Sequence, residues 1–159
     1  MEIITQSAQE TQKLGEKIGR TLALDKLRPI VLCLYGELGS GKTTFLQGLA
    51  KGLGINKRIT SPTFVFVKRY EIRETRDVKR ITYHISRFYH VDLYRVEKLK
   101  EAKNLGLEEV FSDPKAVVAI EWAEKITCLP AGRKEILPKK RIDIFFNYVS
   151  ENQRKIIIK

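Results

Sequence analysis

Cysteine, histidine and long apolar stretches are all scarce in this sequence. The two cysteines, Cys33 and Cys128, stand at no metal-ligand spacing, and Cys33 lies inside an apolar run. A reduced, cytoplasmic compartment is the resulting expectation. The two histidines, His84 and His90, have no partners at ligand spacing and read as packed or surface residues. The longest apolar runs, such as Ile30 to Tyr35, fall far below the roughly 20 residues of a membrane span. Met1-Glu2-Ile3-Ile4 has neither the basic start nor the apolar stretch of a secretion signal. Internal repeats and low-complexity tracts are absent too. Acidic residues are the minority, 19 against 30 Lys and Arg, for a net charge of +11. That excess suits an anionic partner, nucleic acid or an acidic protein surface, or serves solubility alone. No aromatic–basic interleaving of an RNA-reading module decides between the two.

What is present describes one soluble domain over 1–159, with 43% hydrophobic and 31% charged residues. A chain of this size buries about two-thirds of its unfolded surface and needs no covalent staple. Ser7-Ala8-Gln9-Glu10 has the form of a helix capping box, and Leu14, Ile18 and Leu22 follow as one helical stripe. Pro29 opens Ile30 to Tyr35, an apolar run without polar alternation, as in a strand buried on both faces. Phe45, Leu46, Leu49, Ala50 and Leu53 recur with helical period before Gly54. Strands are expected over Thr63 to Tyr70, within Ile81 to Tyr94, and over Ala116 to Ile120, with short helical turns around Glu97 to Val110. Arg141 to Tyr148 and Arg154 to Ile158 read as a closing antiparallel pair. The predicted fold class is α/β, a mixed sheet with parallel core strands flanked by helices and a C-terminal antiparallel hairpin.

Between the first apolar strand and its helix lies Gly36-Glu37-Leu38-Gly39-Ser40-Gly41-Lys42-Thr43, followed by Thr44. It meets the phosphate-loop spacing G-x-x-x-x-G-K-S/T. Gly36, Gly39 and Gly41 permit backbone conformations that aim successive N–H groups at one anion. Lys42 supplies a cation for the β- and γ-phosphates, the Thr43 hydroxyl a magnesium ligand, and the helix N-terminus further attraction. The context makes this a P-loop NTPase fold binding a nucleoside triphosphate with Mg2+. A hydrolytic site also needs a second contact to magnesium and a group that orients water. Asp92 and Glu121 each close an apolar strand at the sheet edge facing the loop, unless they merely cap strands or pair with Lys and Arg. Thr60-Ser61-Pro62-Thr63 reads as a switch segment or as an ordinary turn. Trp122, the single tryptophan, reads as a core residue or as a group at the site.

Several segments, in order, resemble one family: Gly36 to Thr44, Ser61-Pro62-Thr63-Phe64, His90-Val91-Asp92-Leu93-Tyr94-Arg95, Leu105 to Glu109 and Ile120-Glu121-Trp122-Ala123-Glu124. That family is the bacterial tRNA threonylcarbamoyladenosine biosynthesis ATPase, TsaE (YjeE). Ser7 to Thr11 with Leu14-Gly15 is similar as well, so the likeness runs through nearly the whole chain. The resemblance implies a small ATPase, with ATP and Mg2+ as its ligands, which supports turnover of a threonylcarbamoyl-transferase complex without transferring the group itself. It implies partner subunits of the TsaD and TsaB type, with tRNA reached through the complex. By position, Lys42, Asp92 and Glu121 are implied as catalytic, and Thr43, Asp92 and Glu121 at the magnesium. Ser7, Thr11, Glu37, Leu38, Gly39, Ser40, Gly41, Lys42, Thr43, Thr44, Ser61, Thr63 and Trp122 are implied to surround the nucleotide, Ser7 and Thr11 on its adenine side. The chain departs from the family in the stretch between Tyr70 and His90, which is longer and carries Arg73, Arg76, Lys79, Arg80 and Arg87. A small nucleoside or metabolite kinase and a non-enzymatic RNA-binding protein using nucleotide as a structural ligand are the other function classes a P-loop of this size admits.

Overall fold

The computed structural model describes residues 1–24, 30–62, 65–72, 85–127 and 137–159. Thr63, His84, Cys128 and the basic residues Arg73, Arg76, Lys79 and Arg80 lie outside them, so the readings placed on them stay at the level of sequence. Among the described residues no helix is long and apolar enough to cross a membrane.

Seven strands form one sheet in the order β1 (Glu2–Thr5), β7 (Arg154–Ile158), β6 (Ile142–Tyr148), β2 (Ile30–Tyr35), β5 (Ala116–Glu121), β4 (Arg87–Asp92), β3 (Val67–Glu71). The four central strands β6, β2, β5 and β4 are mutually parallel. β7, β1 and β3 add antiparallel edges, and β6–β7 is the expected closing hairpin. The unalternating strands are buried on both faces, as their composition requires. Ile30, Leu32 and Leu34 of β2, with Val117 and Ala119 of β5, face one core layer. Val31, Cys33, Ala116, Val118 and Ile120 face the other. The first layer packs under α1 (Ala8–Leu24) and α2 (Lys42–Gly52), and the second under α3 (Leu99–Lys103), α4 (Leu107–Ser112) and α5 (Glu124–Thr127).

One strand was not anticipated, and one expectation needs correction. The sequence gives no strand signal at Glu2–Thr5, four residues of which only Thr5 is buried, yet the segment pairs with β7 in the register Ile3↔Ile156. Long-range pairing, not local pattern, makes this strand. The strand expected from Thr63 begins only at Val67. Phe66 sits at φ 58°, and the Val65 and Phe66 amides both donate to the Pro62 carbonyl, so the chain turns there before it extends.

The capping box starts α1 with a shift of one residue. Ser7 Oγ accepts the Glu10 amide at 3.1 Å, and the Glu10 carboxylate accepts the Gln6 amide at 2.7 Å. The innermost stripe of the helix is small, Thr11, Gly15 and Gly19, whereas Leu14 and Ile18 flank it half-buried. The reason is the closeness of α2. A Cβ on Gly48 of α2 would lie 1.9 Å from the Gln12 carbonyl oxygen, and one on Gly15 would lie 2.1 Å from that of Phe45. The two helix backbones touch, and α2 carries the phosphate loop at its start. Gly48→Ala must therefore push the helices apart; overpacking of this kind costs about 1–3 kcal/mol. A lowered melting temperature is expected by circular dichroism, and an unchanged one contradicts the contact.

Candidate nucleotide site

β2 carries the chain to the carboxyl edge of the parallel core, and the loop turns it back into α2. Gly36 has φ 138°, and a Cβ there would sit 2.4 Å from the Phe146 carbonyl oxygen; Gly41, the residue before α2, has φ 100°. Both conditions select glycine. Lys42 follows as the first residue of the helix and is 4% exposed. Its ammonium donates to the carbonyl oxygens of Gly36 at 2.6 Å and Glu37 at 2.9 Å. It also lies 4.2 Å from the centre of the Trp122 ring, a cation–π contact. Burial pushes this ammonium below its ordinary pKa, against the opposing pull of Glu121, Glu124, Asp92 and Glu37.

Parallel pairing of β4 with β5 sets Asp92 directly opposite Glu121, and both carboxylates are 3% exposed. The Thr43 hydroxyl donates to Glu121 at 3.0 Å from Oε1 and 2.9 Å from Oε2. His90 Nε2 lies 2.8 Å from the same Oε1. Asp92 accepts the Ser61 hydroxyl on Oδ2 and the Tyr94 amide on Oδ1, the latter at 2.9 Å. Trp122 turns the chain after β5 with φ 61°, and its ring packs against Tyr94 with centroids 5.0 Å apart. An open cleft of about 360 Å³ results, lined by Leu38, Gly39, Gly41, Lys42, Thr43, Thr44, Ser61, Asp92, Tyr94, Glu121 and Trp122.

The structure thus gathers most of the residues singled out from sequence. Glu37 reaches the site through its carbonyl, and Ser40, 1% exposed, underlies the loop with Oγ 3.5 Å from the Lys42 ammonium. Thr11 lines a smaller neighbouring cleft of about 110 Å³ together with Ala8, Gly39, Gly41, Thr44, Glu151, Asn152 and Arg154. Its hydroxyl is already bonded to that of Thr5 at 2.7 Å, so what it offers this cleft is its methyl group. Ser7 lines neither cleft; its hydroxyl caps α1.

Four further residues belong to the site, though none was given a role there from sequence. Tyr94 lines the cleft. His90 bonds Glu121, and its two-residue spacing from Asp92 on a strand was the available signal, since it puts both on one face. Arg154 donates to the Gly39 carbonyl at 3.2 Å from a strand 115 positions away, for which local sequence holds no signal. Glu124, half-buried after Trp122, has no hydrogen-bond partner for Oε2 among the described residues, and burial raises its pKa.

The contact between Lys42 and the only tryptophan yields a direct readout. Nucleotide that draws the ammonium toward phosphate must change the surroundings of the indole. Titration with Mg-ATP is expected to change Trp122 emission saturably, and Lys42→Met is expected to change it without ligand. Constant emission in both experiments contradicts the contact.

A parallel core with a glycine loop between buried strand and helix at its carboxyl edge, and paired acids on the neighbouring strands, is the architecture of P-loop NTPases. The solved structure of YdiB from Bacillus subtilis shares the fold, with a TM-score of 0.67, 32% identity, and coverage of 98% of this chain and 82% of that one. The family model described as "Threonylcarbamoyl adenosine biosynthesis protein TsaE" matches residues 5–156, and the chain belongs to that family. Among relatives named tRNA threonylcarbamoyladenosine biosynthesis protein TsaE, the Treponema pallidum protein is 32% identical over 99% of both chains. The Bacillus subtilis protein is 37% identical over 79% of this chain and 66% of its own length.

Proposed function

We propose that this chain is a magnesium-dependent ATPase acting in the formation of N6-threonylcarbamoyladenosine in tRNA. In this reading its hydrolysis sustains turnover of a threonylcarbamoyl-transferase complex built from TsaD- and TsaB-type subunits, and tRNA is met through that complex. The observation that carries it is the convergence of Lys42, Thr43, Asp92 and Glu121 on one cleft, in a chain of the TsaE family.

Each residue has a definite task in that reading. Loop amides and the start of α2 bind the phosphates, and Lys42 exchanges the Gly36 and Glu37 carbonyls for the β- and γ-phosphate oxygens. The exchange is favourable because a buried ammonium gains a full anionic partner in place of two neutral acceptors. Thr43, Asp92 and Glu121 offer only hard oxygen donors, which fits magnesium. Among the described residues no cluster of three His, Cys, Asp or Glu suits a metal, and magnesium commonly takes one or two carboxylates with phosphate and water. When bound, it neutralises charge building on the phosphates. Glu121, with an oxygen pair turned toward Thr43 at the cleft, orients the attacking water, while Ser61 holds Asp92. Trp122 and Tyr94 shield one side of the cleft from solvent.

Phosphate release measured with ATP and Mg2+, with and without the partner subunits, tests the proposal. Slow release alone, stimulation by partners and loss on chelation of magnesium are expected, as partners complete other P-loop sites in trans. No release under any of these conditions refutes it.

A further inference from the structure

We infer that His90 is a positioning residue that holds Glu121 in its working orientation, an inference that rests on the proposed ATP hydrolysis. The argument begins with strand periodicity. Phe88, His90 and Asp92 alternate onto the face of β4 that Phe88 shares with the α1–α2 layer, and Val117, Ala119 and Glu121 do the same on β5. The register partner of His90 is Ala119, whose small side chain leaves the imidazole room to reach diagonally toward Glu121. Nε2 arrives 2.8 Å from Oε1. Glu121 accepts the Thr43 hydroxyl on both oxygens, so Nε2 is assigned as the donor. The Phe88 ring packs beside the imidazole, with centroids 6.4 Å apart and planes 25° from parallel.

His90 itself cannot touch a ligand, because its side chain is wholly buried. Its influence must pass through Glu121. Thr43, the other partner of Glu121, is the hydroxyl that the proposed function commits to magnesium. Once Thr43 turns to that task, His90 is the remaining side chain among the described residues that hydrogen-bonds the carboxylate and restrains its rotation. Core stability alone does not call for an imidazole here. Nδ1 is buried without a hydrogen-bond partner among the described residues, a cost that an apolar side chain of similar volume avoids. What the imidazole adds is the donor aimed at Glu121.

The test compares wild type, His90→Gln, whose amide nitrogen can replace Nε2, and His90→Leu, which fills the volume without a donor. Nucleotide affinity is read from Trp122 emission, and kcat and KM from phosphate release with Mg2+ and the partner subunits. His90→Leu is expected to lower kcat by about 10–100-fold, the usual effect of losing an orienting hydrogen bond. Nucleotide Kd should stay within about threefold, as for a group acting on the reaction rather than on ground-state binding. His90→Gln should recover most of kcat. Wild-type kcat in His90→Leu, or equal impairment of both variants, overturns the inference while leaving hydrolysis intact. A wild type that releases no phosphate instead overturns the function, and the inference with it.

A spectroscopic arm decides the matter should His90→Leu fail to fold. The chain has two imidazoles, so a long-range proton–nitrogen spectrum of the wild-type protein is simple to assign. His90 is expected to carry its proton on Nε2, and its resonances are expected to move in Glu121→Gln. An unprotonated Nε2, or resonances indifferent to Glu121→Gln, refutes the contact.

Discussion

Lys42→Ala is expected to reduce kcat/KM for ATP by about 100-fold or more, the scale of losing a charged donor aimed at the reacting phosphate. The surroundings of Lys42 sharpen this beyond a generic effect. Lys42 is 4% exposed, and burial lowers its pKa, so the fold holds the ammonium at a cost that the Gly36 and Glu37 carbonyls only partly offset. Removing it relieves that cost while sacrificing those two bonds. The melting temperature of the ligand-free protein should accordingly move by no more than a few degrees, while nucleotide use collapses. Steady-state phosphate release beside a thermal melt checks both halves. Retained activity overturns the assignment of the site, and a cooperative loss of fold shows that Lys42 is structural first.

Glu121→Gln carries the second large effect, a fall in kcat of about 100-fold or more, as expected when a group handling the reacting water loses its charge. Geometry predicts that binding survives. The amide oxygen can still accept from His90 Nε2, and the amide nitrogen can donate to the Thr43 hydroxyl oxygen, so both neighbours keep a partner. Nucleotide Kd should change far less than kcat, which separates this variant from Lys42→Ala. Single-turnover phosphate release and Trp122 titration measure the two quantities independently. Wild-type kcat in Glu121→Gln removes Glu121 from the reaction.

How much of this was legible in the sequence follows from the range of the forces involved. The phosphate loop is local: its glycines, Lys42 and Thr43 act through the backbone they themselves form. Asp92 and Glu121 were legible because a carboxylate closing an apolar strand stands out, and parallel register then sets them side by side. The pairing of His90 with Glu121 depends on that register and on the small size of Ala119. A single histidine among aromatics does not reveal it. The packing role of the α1 glycines escaped the sequence reading for a similar reason. Leu14, Ile18 and Leu22 gave the stronger periodic signal, yet Gly15 and Gly19 face the α2 backbone, where only the absence of a Cβ permits the approach. Likewise β1 exists through its pairing with β7, and Arg154 reaches Gly39 only in the folded sheet. The loop made a nucleotide legible, and the segments around Ser61, Asp92 and Glu121 pointed to the family to which the chain belongs.

The central claim is that ATP hydrolysis in the Lys42–Glu121 cleft keeps the transferase complex turning over. It is tested most directly by counting threonylcarbamoyladenosine formed per complex in a reconstituted reaction, with the wild-type chain and with Glu121→Gln at equal ATP occupancy. Repeated turnover with wild type and arrest near one modified tRNA per complex with Glu121→Gln is the predicted result. Equal, repeated turnover with both proteins would contradict it.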